Sequence, residues 1–230
     1  MNPVITNNDG LQLPVFNPVF KDGVIKFLGA ITYYLGLIMA RLVCSIGLVT
    51  PDGGNVGNGT VTNFALAPGG PPLPGDWNLE CTFAVVEGGV FKLEDPNGNL
   101  VADNLTLRVG TGLLTTFSIG GLSFTVTVGA TDFSAGDKFA LNVVDENLAW
   151  VPWVEDAFDG SGEASGILPV DVTATGAGNL FRRILIGGEV SKEKLLVQAG
   201  GSVPEKAIEQ LRNFSIQSVA AVRTDILDNQ

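Results

Sequence analysis

General acid/base work at neutral pH and most metal sites draw first on histidine, and this 230-residue chain contains none. Histidine is the side chain whose unperturbed pKa lies between pH 5 and 8, and it is the commonest zinc ligand. Cys44 and Cys81 are too few to close a structural zinc site or a disulfide framework, and they read as two buried thiols. Glu155, Asp156, Asp159 and Glu163 follow Trp150 and Trp153. A glycosidase needs two carboxylates facing each other across a sugar. Four acids in one loop read rather as a solvated turn, and the two tryptophans as subunit-interface or core anchors. Asp95, Asn97, Asp132 and Asp137 offer oxygens to calcium, but their spacing fits no EF-hand loop and turns favour the same residues. Gly54-x-x-Gly57-x-Gly59 is a glycine spacing of the phosphate-loop kind, yet no Gly-Lys-Ser/Thr follows it. Arg182-Arg183 could meet a phosphate or an acidic protein patch, and reads more simply as a solvated pair or an intersubunit ion pair. No catalytic residue, cofactor or metal is expected, and the chain does not read as an enzyme.

The elements that would hold these residues are mostly strands. Thirty glycines and twelve prolines, with 45% apolar residues, point to short strands joined by tight turns. Charged residues make up only 16%, against roughly 25% in an ordinary soluble protein. Surface covered by neighbouring subunits, or a membrane, would explain the shortfall. Phe27–Val49 is long enough to span a bilayer, with Arg41 its only charge. Glycines at 29, 36 and 47 and strand-favouring residues make it two buried strands instead, so no membrane partner is expected. Formal charge is +1 over residues 1–50, −8 over 51–150 and −4 over 151–230. So acidic a middle repels phosphate backbones, and no nucleic-acid partner is expected.

Three regions follow from this patterning. Residues 1–26 hold Pro3, Pro14 and Pro18 among large apolar side chains, and read as an extended arm that needs a partner surface. Residues 53–146 alternate Gly/Asn/Thr clusters with short apolar runs. Asn97-Gly98 marks a hairpin there, and Leu122–Val128 a half-buried strand. This segment reads as a β-sandwich inserted into a scaffold of 27–52 plus 147–230. Ser202-Val-Pro-Glu205 predicts a capping box, with Val203, Ala207, Ile208, Leu211 and Phe214 on one helical face and a closing strand over Phe214–Val222. The fold class is mainly β: a β-rich α+β scaffold with one C-terminal helix, carrying an inserted sandwich.

Several blocks carry a family resemblance. Asp159-Gly160-Ser161, Ala164-Ser165-Gly166-Ile167-Leu168, Asp171-Val172, Ile184-Leu185-Ile186 and Glu189-Val190 resemble the lambda-type bacteriophage head decoration proteins. Gly36–Val43 is similar to that family's front strand, with Ala40 and Arg41 in place of the usual Gly and Lys. Gly54–Val61, Val90–Ala102 and Phe117–Val144, ending in Gly129–Asp137, resemble an immunoglobulin-like insertion found in longer members. The resemblance implies a virion protein on the outer capsid surface, stabilising the head as homotrimers at local three-fold positions, with the major capsid protein as its partner. On that reading the arm makes the capsid contact through Val4, Ile5, Leu11, Leu13, Val15, Phe16, Val19 and Phe20. Trp150, Trp153, Arg182 and Arg183 are then candidates for the subunit interface. A tail-tube or fibre protein, or a secreted β-module adhesin or surface-layer subunit, is the alternative.

Overall fold

The computed structural model describes the backbone of residues 4–6 and 12–219 and the side chains of residues 17–216. The fold is mainly β with one C-terminal helix. Four strands come first: β1 (Val4–Thr6), β2 (Gln12–Phe27), β3 (Ile31–Tyr33) and β4 (Ile38–Pro51). Then come β5 (Thr60–Leu66), β6 (Gly75–Val85), β7 (Gly88–Glu94), β8 (Leu100–Thr106), β9 (Leu114–Ile119), β10 (Leu122–Thr127) and β11 (Lys138–Pro152). The chain ends with β12 (Ala164–Ile167), β13 (Val172–Ala174), β14 (Gly178–Ser191), helix α1 (Glu205–Asn213) and β15 (Ile216–Val219). Two compact units result: unit 1 is Met1–Leu42 with Ala149–Gln230, and unit 2 is Val43–Leu148. Strands β4 and β11 each run through a boundary, so the glycine-rich turn after Pro51 lies inside unit 2.

In unit 1 five strands pair in a closed ring, β2 to β14 to β12 to β4 to β11 and back to β2. The ring closes where Trp150 of β11 lies beside Ile25 of β2 in a parallel pairing. Ile25, Met39, Trp150, Leu168 and Ile184 share one buried cluster. Their sequence neighbours point the other way, as successive strand residues must, so Ile38, Ala40 and Leu185 pack with Ala207 and Leu211 of α1. A strand buried on both faces reads as a continuous apolar run, which accounts for the hydropathy of Leu37–Ala40.

The arm has an intramolecular place. β2 pairs antiparallel with β14 from Val15↔Val190 to Phe27↔Gly178, and β1 pairs with its start at Val4↔Pro14. Proline cannot donate to a ladder, and Pro18 falls where the register shifts between Phe16↔Glu189 and Val19↔Gly187, with Asn17 at φ 51. The partner surface for the β2 backbone is the chain's own β14.

Unit 2 is two layers around one core. Its larger sheet runs β4-β11-β6-β7-β8 and its smaller one β5-β10-β9. Phe124 and Val126 of β10 meet Trp77, Leu79, Phe91 and Leu141 across the interior, with Phe133 edge-on to Phe91 at 5.1 Å. The Asn97-Gly98 turn joins β7 to β8 as the sequence predicts. Gly98 sits at φ +81, Gly98 N donates to Asp95 O (2.9 Å), and Asp95 Oδ1 takes Asn97 N and Asn99 N.

Helix α1 departs from its expected start. Pro204 is the N-cap residue and no side chain caps the helix, so Ser202 and Glu205 form no capping box. Glu205 becomes the first helical residue and pairs instead with Lys192 at 3.1 Å. Among the described residues no helix is long and apolar enough to cross a membrane.

Candidate functional site

The residues singled out for chemistry do not converge. Cys44 and Cys81 are free and buried in unit 2. Asp95, Asp132 and Asp137 each serve a separate turn, and among the described residues no three His, Cys, Asp or Glu side chains gather as a metal site. Asp132 Oδ1 accepts Glu87 N (2.8 Å). Asp137, 3% exposed, accepts Val56 N, Gly57 N and Ser134 N at 2.8–2.9 Å. Burial opposes its ionisation, but the three donors outweigh burial and hold the carboxyl below its ordinary pKa. The segment with phosphate-loop spacing therefore wraps a carboxylate and presents no cradle to an anion.

The acids after Trp153 are likewise engaged one by one. Asp156 pairs with Lys206 at 2.7 Å, Glu163 Oε2 accepts Gln210 Nε2 at 2.9 Å, and Asp159 Oδ1 accepts Ser161 N and Oγ. Glu155 lines a groove of about 430 Å³ with Trp153, Val154, Val197, Ser202 and Pro204, in which no second acid stands opposite it. The paired-carboxylate arrangement of a glycosidase is absent from these residues.

Both candidate interface tryptophans belong to the core of their own unit. Trp153 Nε1 donates to Gly162 O (2.9 Å) and to Gln210 Oε1 (3.0 Å). Gln210 Oε1 also accepts Ala164 N, and its Nε2 donates to Gly162 O, so one helical side chain ties α1 to the start of β12. Trp150 lies between two glycines: a Cβ at Gly23 would collide with its indole, and one at Gly166 would stand 2.8 Å from its Cζ3. The Arg41 guanidinium covers the ring at 4.2 Å from its centroid, and the buried Nε1 has no hydrogen-bond partner.

What remains outward-facing is apolar and charged surface. On β2 and β14, Leu180 and Ile25 turn to the ring interior, so their neighbours Phe181 and Val24, themselves a cross-strand pair, face outward. Next along this face, Arg183 Nε lies 3.5 Å from Asp22 and its guanidinium stands 6.0 Å from the Phe20 ring. Phe181 is 75% exposed, and both arginines are exposed. Of the arm residues, Val19 is exposed and Phe20 packs partly under α1. Leu11 lies outside the described residues, as do the side chains of Val4, Ile5, Leu13, Val15 and Phe16.

A second outward surface, in unit 2, was not anticipated from sequence. Its loops 52–58, 85–88, 107–113 and 129–133 meet at the end of β4 and β11 far from Val43 and Leu148. Glu87 O accepts Gly110 N (2.7 Å), Glu87 Oε1 takes the Thr111 hydroxyl (3.3 Å), and Asn58 Oδ1 accepts Thr131 N (2.9 Å). Val56, Val86, Val109 and Leu113 are exposed there beside Asp52, Glu87 and Asp132, with Arg108 the basic residue on these loops.

Fold and surface together define a two-unit β protein whose carboxylates close turns rather than a cleft. No family model matches the chain, and no curated protein matches it. Among solved structures it is similar to the flagellar junction protein FlgL from Legionella pneumophila, with 14% identity and a TM-score of 0.34, over 47% of this chain and 34% of that one. FlgL of Xanthomonas campestris aligns with 17% identity and a TM-score of 0.32, over 49% and 34%. This chain thus spans about a third of the length of those structures, and a likeness of this size carries no function across.

The resemblance to lambda-type head decoration proteins is corrected here: no family model and no curated protein matches the chain, so nothing supports a decoration protein. Capsid decoration, head stabilisation, a virion role, trimers at local three-folds and the immunoglobulin-like insertion rested on that resemblance and are corrected with it. The major capsid protein loses its ground as a partner. The matching blocks have a local physical origin: Asp159-Gly160-Ser161 is a turn closed by the Asp159 carboxylate, Ala164–Ile167 is a fully buried strand, and Gly129–Asp137 is a loop gathered by Asp137. Turn and strand chemistry of this kind recurs in unrelated β proteins.

Proposed function

We propose that this chain is a non-catalytic structural subunit, a β-module building block of a surface or appendage assembly in the manner of a secreted adhesin or surface-layer protein. The observation that carries the reading is large apolar surface on a chain poor in charge. Leu28 and Phe181 in unit 1 and Leu48 and Phe83 in unit 2 are 81, 75, 79 and 65% exposed. Single exposed apolar residues are ordinary, but contiguous ones mark interaction surfaces. Val56, Val86, Val109 and Leu113 are gathered in this way at the loop end of unit 2, and Phe181 stands on the outer β2–β14 face. Of the acids after Trp153, Asp159 closes a turn, Asp156 pairs with Lys206 and Glu163 accepts the Gln210 amide, while Glu155 lines an open groove. Protein surfaces are the partners that such a molecule fits, while the acidic unit 2 disfavours nucleic acid. The test is fractionation of the native source under gentle lysis, with detection by antibody. The chain is expected to sediment with particles far larger than its 24.0 kDa monomer. Recovery only as free monomer, or turnover of a substrate by that monomer, would overturn the reading.

A further inference from the structure

We propose that copies of this chain join head to tail, the loop end of unit 2 on one copy seating on the outer β2–β14 face of unit 1 on the next. The inference rests on the structural-subunit reading and names how its subunits join. Each surface combines exposed apolar side chains with charge, and the charges are opposite. The β2–β14 face carries the exposed Phe181 and the half-buried Val24 with Lys26 and Arg183. Asp22 offsets one of these charges through its contact with Arg183. The loop end carries Val86 and Val109 with Asp52, Glu87 and Asp132 against one basic residue, Arg108, in a unit that holds 11 acidic and 3 basic side chains over residues 43–148.

Complementary potentials steer encounter and fix register, while the apolar centre supplies the burial. The two patches differ from one another, so the contact is heterologous. Such contacts close into a ring when the rotation permits and otherwise propagate as a filament. An isologous pairing of either patch with its own copy would set like charge against like, which argues against a two-fold dimer here. The backbone under both patches is ordered by hydrogen bonding: the β2–β14 ladder holds one, and the Glu87, Asn58 and Asp132 contacts hold the other. Little ordering entropy is therefore lost on docking.

The experiment is sedimentation velocity on the full chain across concentration, at low salt and at 0.5 M salt. Wild type is expected to associate, more weakly at high salt because screening shortens the reach of exposed charges. R183E makes the basic face less basic, and E87K makes the loop end less acidic. Both side chains are exposed, so each variant should keep the wild-type unfolding midpoint. Each variant alone is expected to associate at least about tenfold more weakly, because a like-charge contact replaces a favourable one. An equimolar mixture of the two is expected to recover association, since each variant's intact or reversed patch then finds its complement on the other. F181D, an apolar-centre control, should weaken association of the chain with itself as well. Association of both variants at wild-type strength would overturn the head-to-tail contact while leaving the structural-subunit reading in place. A wild-type chain that stays monomeric at every concentration and salt, together with its recovery only as monomer from its source, would overturn both.

Discussion

Replacing Trp150 with alanine is expected to lower the stability of unit 1 by about 3–5 kcal/mol, the range for deleting a large aromatic from a core that cannot collapse around the gap. Collapse is blocked here because the indole lies between the Gly23 and Gly166 backbones, both held in ladders, with Arg41 over its face. The cavity would open at the seam where β11 meets β2. Trp150→Phe should cost far less, because a ring still fills the slot and the unpartnered Nε1 is removed with its desolvation penalty. Hydrogen exchange read by mass spectrometry separates the units. Protection should fall in β2, β12 and β14 of the alanine variant and persist in unit 2. An alanine variant with wild-type protection throughout would show that the seam does not depend on this side chain.

Asp137→Ala is expected to destabilise unit 2 by about 3 kcal/mol, since three backbone N–H groups lose a charged acceptor at a site closed to water. Asp137→Asn keeps an oxygen but brings an NH₂ group towards the same donors, and should recover only part of the loss. The pH dependence has a definite sign. The folded carboxyl has a pKa below its unfolded value of 3.8, so the unfolded chain takes up the proton first as pH falls. The stability from Asp137 is fully present above the unfolded pKa and is lost as pH drops through the folded one. Urea midpoints of unit 2 should thus fall as the pH drops below the unfolded value of 3.8, and by less in Asp137→Asn. Identical slopes in the two proteins would remove Asp137 from the acid response.

Much of the class was legible because turns and alternation are local. Asn97-Gly98 and the Leu122–Val128 pattern each need only a few residues; the turn appears as read, and the strand appears as Leu122–Thr127 with Thr125 buried besides its apolar residues. The closing strand after Phe214 is present as β15. What stayed hidden depends on partners far apart in sequence. The arm's apolar residues could not be assigned to β14, because nothing local to Val15 specifies Val190. The capping box is absent because Pro204 is the N-cap, which places Glu205 at the first helical position rather than the third. Asp137 was seen as a possible cation ligand, and nothing in its own neighbourhood announces the amides of Val56 and Gly57. The outward face of Phe181 follows from alternation only after Leu180 is known to point inward. The family blocks misled by the same logic, since turn residues repeat wherever a turn is needed.

The closure of the ring at Trp150 and Ile25 sets an order of events during synthesis. A growing chain displays β2 and the start of β4 well before β11, β12 and β14 exist, with all of unit 2 made in between. Bringing the ends of so long an open loop together carries an entropic cost that rises with its length. Once unit 2 has folded, β4 and β11 emerge from it as hydrogen-bonded neighbours, and that cost has largely been met. Unit 2 is therefore expected to fold before the unit that surrounds it in sequence, and pulse-labelled exchange should find β6, β7 and β10 protected before β2 and β14. Until then the apolar strand at Leu37–Ala40 stands without its neighbours, which makes the waiting first segment the stretch of this chain most in need of a chaperone.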